Sequence, residues 1–404
     1  RQMCIRDRPD IYLDPTCGIW LSPWWLRHAD SLWGSVSGDY PDIVVPAPVL
    51  RDSATTTRDG MFRQRCREHP GFPPAAIEHL GIIVITPEKW EDNAMIVVGR
   101  GCRLLTLYIN PQFFQAGERD WAFLASLLRW VRHNAQTLQN TELILGDPMK
   151  REPYGYAHFR PCRGILALRN PFIEPKTVEL KLDESVGWSA AQAVGRSAAE
   201  AGPGKPGSGQ GPPAGSSQPA EGCLALKQTL CAPERFAVRI VYPRQETLGQ
   251  AFRYGDTLRL VLQGFETLIL HVDPIRPDEP VWLGARVQET HRVDNRITCA
   301  VYGAPGETAD VLLGGLAPAN ASADGTPLAL GTAEGQVRLP LSFAGQKEPC
   351  TVQGAQLVAE TLPMGWQMSG RATVQVPATS KATVYLLCDP RTCLLYTSPS
   401  PRDS

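Results

Sequence analysis

The chain has 404 residues, 43% of them hydrophobic, and a formal net charge of −1. Such a balance gives no electrostatic basis for binding nucleic acid or an anionic membrane surface, and no apolar run of about eighteen residues marks a membrane span. The length predicts two or three domains of roughly 150 residues each, with enough apolar surface for a sizeable core.

Residues 1–8 (RQMCIRDR) and 393–404 (CLLYTSPSPRDS) resemble translated sequencing-adapter read-through and are set aside from the fold reading. The expectation is that neither native terminus is present, so localisation is open between cytoplasm and secretion. Setting aside Cys4 and Cys393 leaves nine of the eleven cysteines. None forms CxxC and none has zinc-finger spacing with histidine, so they read as mostly buried thiols. Cys223 and Cys231 are near enough in sequence for a disulfide, on proximity alone.

From residue 9 to 148 short apolar runs alternate with helical segments, as βα units do. Residues 31–33, 75–79 and 103–108 are strand-like. The clearest helix is 120–138, where Trp121, Leu124, Leu128, Val131 and Ala135 fall at three- and four-residue spacings. His133, in its last turns, reads as a solvated helix residue. Within this region the stretch from Leu21 to Asp59 carries the chemistry. Trp20, Trp24, Trp25 and Trp33 lie close to carboxylates at Asp30, Asp39, Asp42, Asp52 and Asp59 and to arginines at Arg51 and Arg58. Flat aromatic faces pack against the C–H faces of sugar rings, while carboxylates and arginines grip hydroxyls and exchange protons. Gly38 permits a sharp turn that would lift Asp39 into a cleft. The alternative is a tryptophan-rich core edge with solvated loop carboxylates.

Beyond residue 149 the pattern is β throughout, with strand-like runs at 155–159, 164–168 and 177–182. Tyr154, Tyr156 and His158 share one face at period two, which fits an ordinary sandwich strand better than a sugar-binding stripe. Asp147 and Pro148 read as a turn. Residues 189–222 are rich in Ala, Gly, Pro, Ser and Gln and are predicted to be disordered, because they cannot bury enough surface to offset chain entropy. Strands resume at 236–242, 257–262 and 267–272, and a further β-rich region follows to about residue 390. GxSxG, HExxH, Walker and EF-hand motifs are all absent from the sequence.

The order of landmarks from Ser31 to Leu107 resembles the α-galactosidase (melibiase) clan of glycoside hydrolases. Ser31, Leu32 and Trp33, then Ser37, Gly38 and Asp39, match a Trp strand running into the turn that carries the general acid/base aspartate. Arg58, Asp59 and Gly60 resemble the start of the next helix. The run from Phe72 through Glu78 to His79 resembles the following strand, and Gly99, Arg100 and Gly101 open the last one. The turn between Trp33 and Asp39 is longer than in the family pattern. The resemblance implies an α/β barrel, here the last four βα units of a TIM-type barrel, followed by all-β sandwich domains.

On that reading 9–148 is the C-terminal half of the barrel, with Asp14, Pro15, Thr16, Cys17 and Gly18 as the loop after its fifth strand. Residues 149–275 are a β-sandwich containing the insert, and 276–392 are an accessory β-rich domain. Strands one to four, with the nucleophilic aspartate, would lie upstream. The implied activity is retaining hydrolysis of α-galactosides or related α-glycosides, by an enzyme inactive without its missing half. Asp39 would be the acid/base, with Asp42 and Asp30 in reserve, and Trp33, Arg58, Asp59, Glu78 and His79 would contact substrate. Two carboxyls suffice, so neither metal nor organic cofactor is implied. The expected partner is a carbohydrate, with oligomeric state left open. A non-catalytic carbohydrate-binding protein on the same scaffold is the alternative.

Overall fold

The computed structural model describes residues 11–15, 20–34, 44–78, 82–84, 89–109, 118–190, 235–276 and, with short breaks, 281–376. Asp39, Asp42, His79, both terminal segments, Cys223, Cys231 and the predicted insert from residue 191 onward lie outside the described residues. The chain divides into two compact units: Arg1–Pro243 with Gln250–Val281 and Gly314–Leu316, and Arg244–Gly249 with Trp282–Leu313 and Ala317–Ser404.

The first unit begins with an isolated parallel pair, β1 (Leu32–Trp33) and β2 (Ile77–Glu78), in the register Leu32↔Ile77 and Trp33↔Glu78. Between them runs helix α1 (Leu50–Glu68). Its sequence is polar and contains three successive threonines, whose β-branching lowers helix propensity. Burial overrides propensity here, since thirteen of its 19 residues are inside, from Arg51 to Cys66. Polar groups taken out of water must be paired. Accordingly Thr55 and Thr56 donate back to the carbonyls of Arg51 and Asp52 at 2.7 and 2.8 Å.

A second parallel pair, β3 (Ile82–Val84) and β4 (Leu107–Ile109), flanks helix α2 (Trp90–Gly99). Apolar residues cover nearly every side of α2, which hides its 3.6-residue period and marks it as internal. It lies so close to the neighbouring sheet that a Cβ on Gly99 would sit 2.5 Å from Ala167 Cβ. Helix α3 (Glu118–Asn134) turns Leu124 and Leu127 inward and leaves Trp121 48% exposed. The buried stripe is therefore rotated from the predicted one, toward Leu127 and away from Trp121 and Ala135. His133 is exposed, as its sequence position predicts.

The rest of the unit is antiparallel. The strands are β5 (Thr141–Leu145), β6 (Tyr154–Arg160), β7 (Arg163–Arg169), β8 (Lys176–Lys181), β9 (Phe236–Tyr242), β10 (Glu246–Phe252), β11 (Thr257–Leu262) and β12 (Thr267–Pro274). Six of them form one sheet in the order β10-β9-β12-β7-β6-β5, and β11 pairs with β8. Tyr154, Tyr156 and His158 on β6 are completely buried, so this strand serves the core and not a sugar surface. A second aromatic core gathers around buried Trp188, stacked on Phe159 at 4.8 Å and edge-on to Phe236 at 4.7 Å. Asp147 caps the short turn of helix at Pro148–Lys150 by accepting from Met149 N at 3.0 Å.

This arrangement overturns the expected TIM-type barrel. Among the described residues there are three α-helices, and the parallel strands form two separate two-stranded pairs with no ladder joining them and no closure. The strands are two or three residues long, too short to continue a ring of hydrogen bonds. Helices α1 and α2 find their cover elsewhere, in the antiparallel sheet: Arg63 donates to Gly155 O at 2.8 Å, and Gly99 lies against β7. Nor does Gly99 open a strand, since it ends α2, and the following strand begins only at Leu107.

In the second unit a four-stranded sheet of order β13-β14-β16-β15 has β13 (Val281–Leu283), β14 (Thr308–Gly314), β15 (Gly331–Ala333) and β16 (Gln336–Ser342). Val311 and Leu313 on β14, with Leu339 and Leu341 on β16, are buried at period two and form its core face.

Candidate functional site

The candidate site lies at the carboxyl ends of β1 and β2. Residues 11–15 run alongside β1, tied by Asp30 N to Leu13 O at 2.8 Å and Trp33 N to Pro15 O at 3.2 Å. Asp30 completes this seam by accepting Leu13 N on its Oδ2 at 2.8 Å, and its own carbonyl accepts from Arg103 at 3.0 Å. Contacts two residues apart mean an extended segment, in which Tyr12 and Asp14 share one side. Gly34 follows Trp33 and donates to Glu78 O at 2.8 Å. A Cβ at Gly34 would collide with the Ile77 side chain, so the close pairing of β1 and β2 requires glycine there.

Three polar side chains converge where these segments end. Glu78 is 2% exposed and Ser31 1% exposed, and Asp14 is half-buried beside them. Thr106 Oγ1 donates a short hydrogen bond to Glu78 Oε1. Glu78 Oε2 and Asp14 Oδ1 are buried without a hydrogen-bond partner among the described residues. Burial pushes the Glu78 carboxyl up to about 7, and the neighbouring Asp14 charge adds to this, against the Thr106 hydrogen bond and the charge of Arg100. Asp14 is raised by its own burial, opposed by the Ser31 hydroxyl. Near pH 7 Glu78 is therefore protonated part of the time. It can then donate one hydrogen bond and accept others.

The remaining sequence candidates are dispersed. Trp33 is half-buried opposite Glu78 in the strand register. Arg58 and Asp59 are inside α1, at 3% and 0% exposure. The Asp59 carboxylate is fully engaged, accepting from Arg100 Nε at 2.7 Å and from the hydroxyls of Tyr154 and Tyr156, both at 2.6 Å. Asp52, two turns earlier on the same face of α1, accepts from Lys89 and Arg169, each at 2.8 Å. Asp39, Asp42 and His79 lie outside the described residues. Sequence reasoning singled out neither Asp14 nor Thr106 as a site residue. The signal for Asp14 was its period-two spacing from Tyr12 just ahead of a Trp strand, whereas Thr106 gave none. Among the described residues no cluster of His, Cys, Asp and Glu could hold a metal ion, and no helix is long and apolar enough to cross a membrane.

No family model matches the chain, and no curated protein matches it. Solved structures that resemble it include an Anoxybacillus α-amylase, at 10% identity over 68% of this chain and 54% of that one, with a TM-score of 0.35. Another is α-galactosidase I of Mortierella vinacea, at 11% identity over 61% and 54%, TM-score 0.33. A third is a β-L-arabinopyranosidase of Geobacillus stearothermophilus, at 10% identity over 64% and 50%, TM-score 0.33. The chain spans about half the length of these proteins. All three are carbohydrate-active by name, but likeness this distant carries no argument about fold or activity.

Proposed function

We propose that this chain supplies the sugar-holding part of a glycoside hydrolase acting on α-galactosides or related α-glycosides. The observation that supports this is the Glu78–Asp14 pair, a buried and a half-buried carboxyl, each with one oxygen that has no hydrogen-bond partner among the described residues, beside the Trp33–Glu78 strand pair. A neutral Glu78 and an ionised Asp14 offer one donor and several acceptors, which matches adjacent sugar hydroxyls, while Trp33 supplies an apolar face for the ring. Arg103 and Asp30 fix the seam that holds Asp14 in place. The proton donor to the departing glycosidic oxygen is Asp39, on the stretch that continues from Trp33. The specific choice of galactosides rests on the resemblance of the 31–107 landmarks.

Calorimetric titration of the chain with galactose and with other monosaccharides tests the binding. Galactose should bind, and Glu78→Gln should weaken it by roughly 10-fold, as expected for losing one good hydrogen bond to a buried group. In a glycoside-hydrolysing protein that contains this chain, Asp39→Asn should lower turnover of natural glycosides about 10²–10⁴-fold, and less for nitrophenyl glycosides, whose leaving group needs little protonation. Full activity in Asp39→Asn with loss in Asp42→Asn or Asp30→Asn would move the donor role to one of these. Sugar binding without any turnover would leave the non-catalytic binding protein as the reading.

A further inference from the structure

At one end of the six-stranded sheet a single carboxylate is shared by three nitrogen donors. Strand β12 runs between β7 and β9. Its His271 lies opposite Arg239 of β9, and Val272 lies opposite Gly164 of β7, which brings Asp273 level with Arg163. These four side chains therefore project from one face of the sheet. Asp273 Oδ1 is 3.0 Å from Arg163 Nε, and its Oδ2 is 3.4 Å from Arg239 Nη2 and 3.8 Å from His271 Nδ1. All of these residues belong to the first unit.

The carboxylate does not serve all three. Trp130 Nε1 on α3 donates to His271 Nε2 at 3.2 Å, which fixes the imidazole proton on Nδ1. That N–H is buried and has no acceptor among the described residues, because 3.8 Å is beyond hydrogen-bond reach. Burial pushes His271 down to about 4, against the pull of the Asp273 charge, so near neutral pH it is an uncharged donor. Arg163 Nε is near enough to Asp273 for an ion pair but poorly angled for a hydrogen bond, and it too is buried without a partner among the described residues. Buried donors left unmet destabilise a fold unless something outside it supplies the acceptor. The setting is basic as well, with Arg235 just before β9, Arg276 just after β12 and His133 one turn along α3 from Trp130. Arg163, Arg239 and Asp273 are 35%, 48% and 29% exposed, so the cluster is open to solvent.

We infer that this cluster is an oxyanion site that binds a phosphate group through Arg163, Arg239 and the Nδ1–H of His271. The donors come from three adjacent strands and so from three directions. A tetrahedral oxyanion has oxygens facing all of them, whereas a carboxylate holds its acceptors in one plane. Guanidinium groups also match phosphate oxygens through paired N–H bonds. Asp273 draws the two arginines together, but its charge opposes the anion, so removing that charge should strengthen binding. The site stands apart from Glu78 and Asp14 and is independent of the reading given to that pair.

The test is titration calorimetry at low ionic strength with inorganic phosphate, glycerol phosphate and acetate, on wild type, Arg163→Gln, Arg239→Gln, Asp273→Asn and Arg259→Gln. Arg259 is the control, since it sits on β11 in the other sheet, paired with Glu179 at 3.5 Å. Wild type should bind phosphate saturably. Either Arg163→Gln or Arg239→Gln should weaken it roughly 10-fold, as expected for losing a charge-assisted hydrogen bond. Asp273→Asn should tighten it roughly 5-fold, and Arg259→Gln should change nothing. Tighter binding of glycerol phosphate than of phosphate supports a phosphate monoester as the ligand, and weaker binding supports the free ion. Acetate bound as tightly as phosphate would overturn the assignment. So would the lack of saturable phosphate binding in wild type, or an equal loss in Arg259→Gln, which marks general charge attraction. Should an arginine variant lose its far-ultraviolet spectrum, Asp273→Asn decides: phosphate bound no more tightly than in wild type means that the cluster is structural.

Discussion

The first unit holds two sets of carboxylates, and they are treated in opposite ways. Asp59 and Asp52 on helix α1 are saturated: Arg100, Tyr154 and Tyr156 surround one, Lys89 and Arg169 the other. Glu78 on β2 and Asp14 beside β1 each keep an oxygen without a partner among the described residues. A buried charge is tolerated when every lone pair is used, and its partners then lock elements together. A buried acceptor left open is costly to the fold, by about 1–3 kcal/mol, unless something outside the fold fills it. The first arrangement holds α1 and α2 to the sheet, and the second is the site we propose. Arg100 stands between them, with Nε on Asp59 and its charge lowering the proton affinity of Glu78.

The largest effect should follow from breaking the saturated set. Asp59→Ala strands a buried guanidinium and two tyrosine hydroxyls, and should cost about 3–5 kcal/mol in chemical denaturation. A loss under about 1 kcal/mol would mean that the network is incidental to stability. Asp59→Asn, which keeps part of the hydrogen bonding, should fall in between.

Next in size is Glu78→Gln, with the opposite sign. The folded-state carboxyl titrates near 7 against 4.5 when free, so the fold binds more protons than the unfolded chain between those values. The stability it contributes is present below about pH 4.5 and lost as pH rises through 7. The variant should therefore be more stable than wild type at pH 8, by on the order of 2 kcal/mol, and equal to it at pH 4. A variant destabilised at pH 8 would place Glu78 among the structural carboxylates.

The smallest effect is a slope. Burial pushes His158 and His271 down to about 4 from 6.5; His158 Nε2 donates to Gly99 O at 2.7 Å, and Trp130 Nε1 donates to His271 Nε2 at 3.2 Å. Both favour the fold above pH 6.5 and lose that contribution as pH falls toward 4. In the wild type Glu78 gains as they lose. Denaturation midpoints between pH 6.5 and 4.5 should therefore fall roughly half as steeply in wild type as in Glu78→Gln. Identical slopes would contradict the Glu78 assignment.

The sequence by itself determined the local features. Period two marked β6, β7 and the strands after residue 235, and helical spacing marked α3, although the buried stripe proved rotated toward Leu127. Clustered tryptophans and carboxylates drew attention to the stretch from Leu21 to Asp59, and Glu78 was among the residues named. What the sequence could not give was the use of each carboxylate. Asp59 and Glu78 are equally acidic as letters, and only their neighbours, nearly a hundred positions away for Tyr154 and Tyr156 on Asp59, decide that one is filled and the other open. The polar helix α1 likewise reads as solvated until the sheet supplies partners for its charges. Architecture was settled at the same level. Alternating βα units are compatible with a closed ring, but closure needs a continuous ladder, and the parallel strands here are too short to make one while the antiparallel sheet takes up the helices.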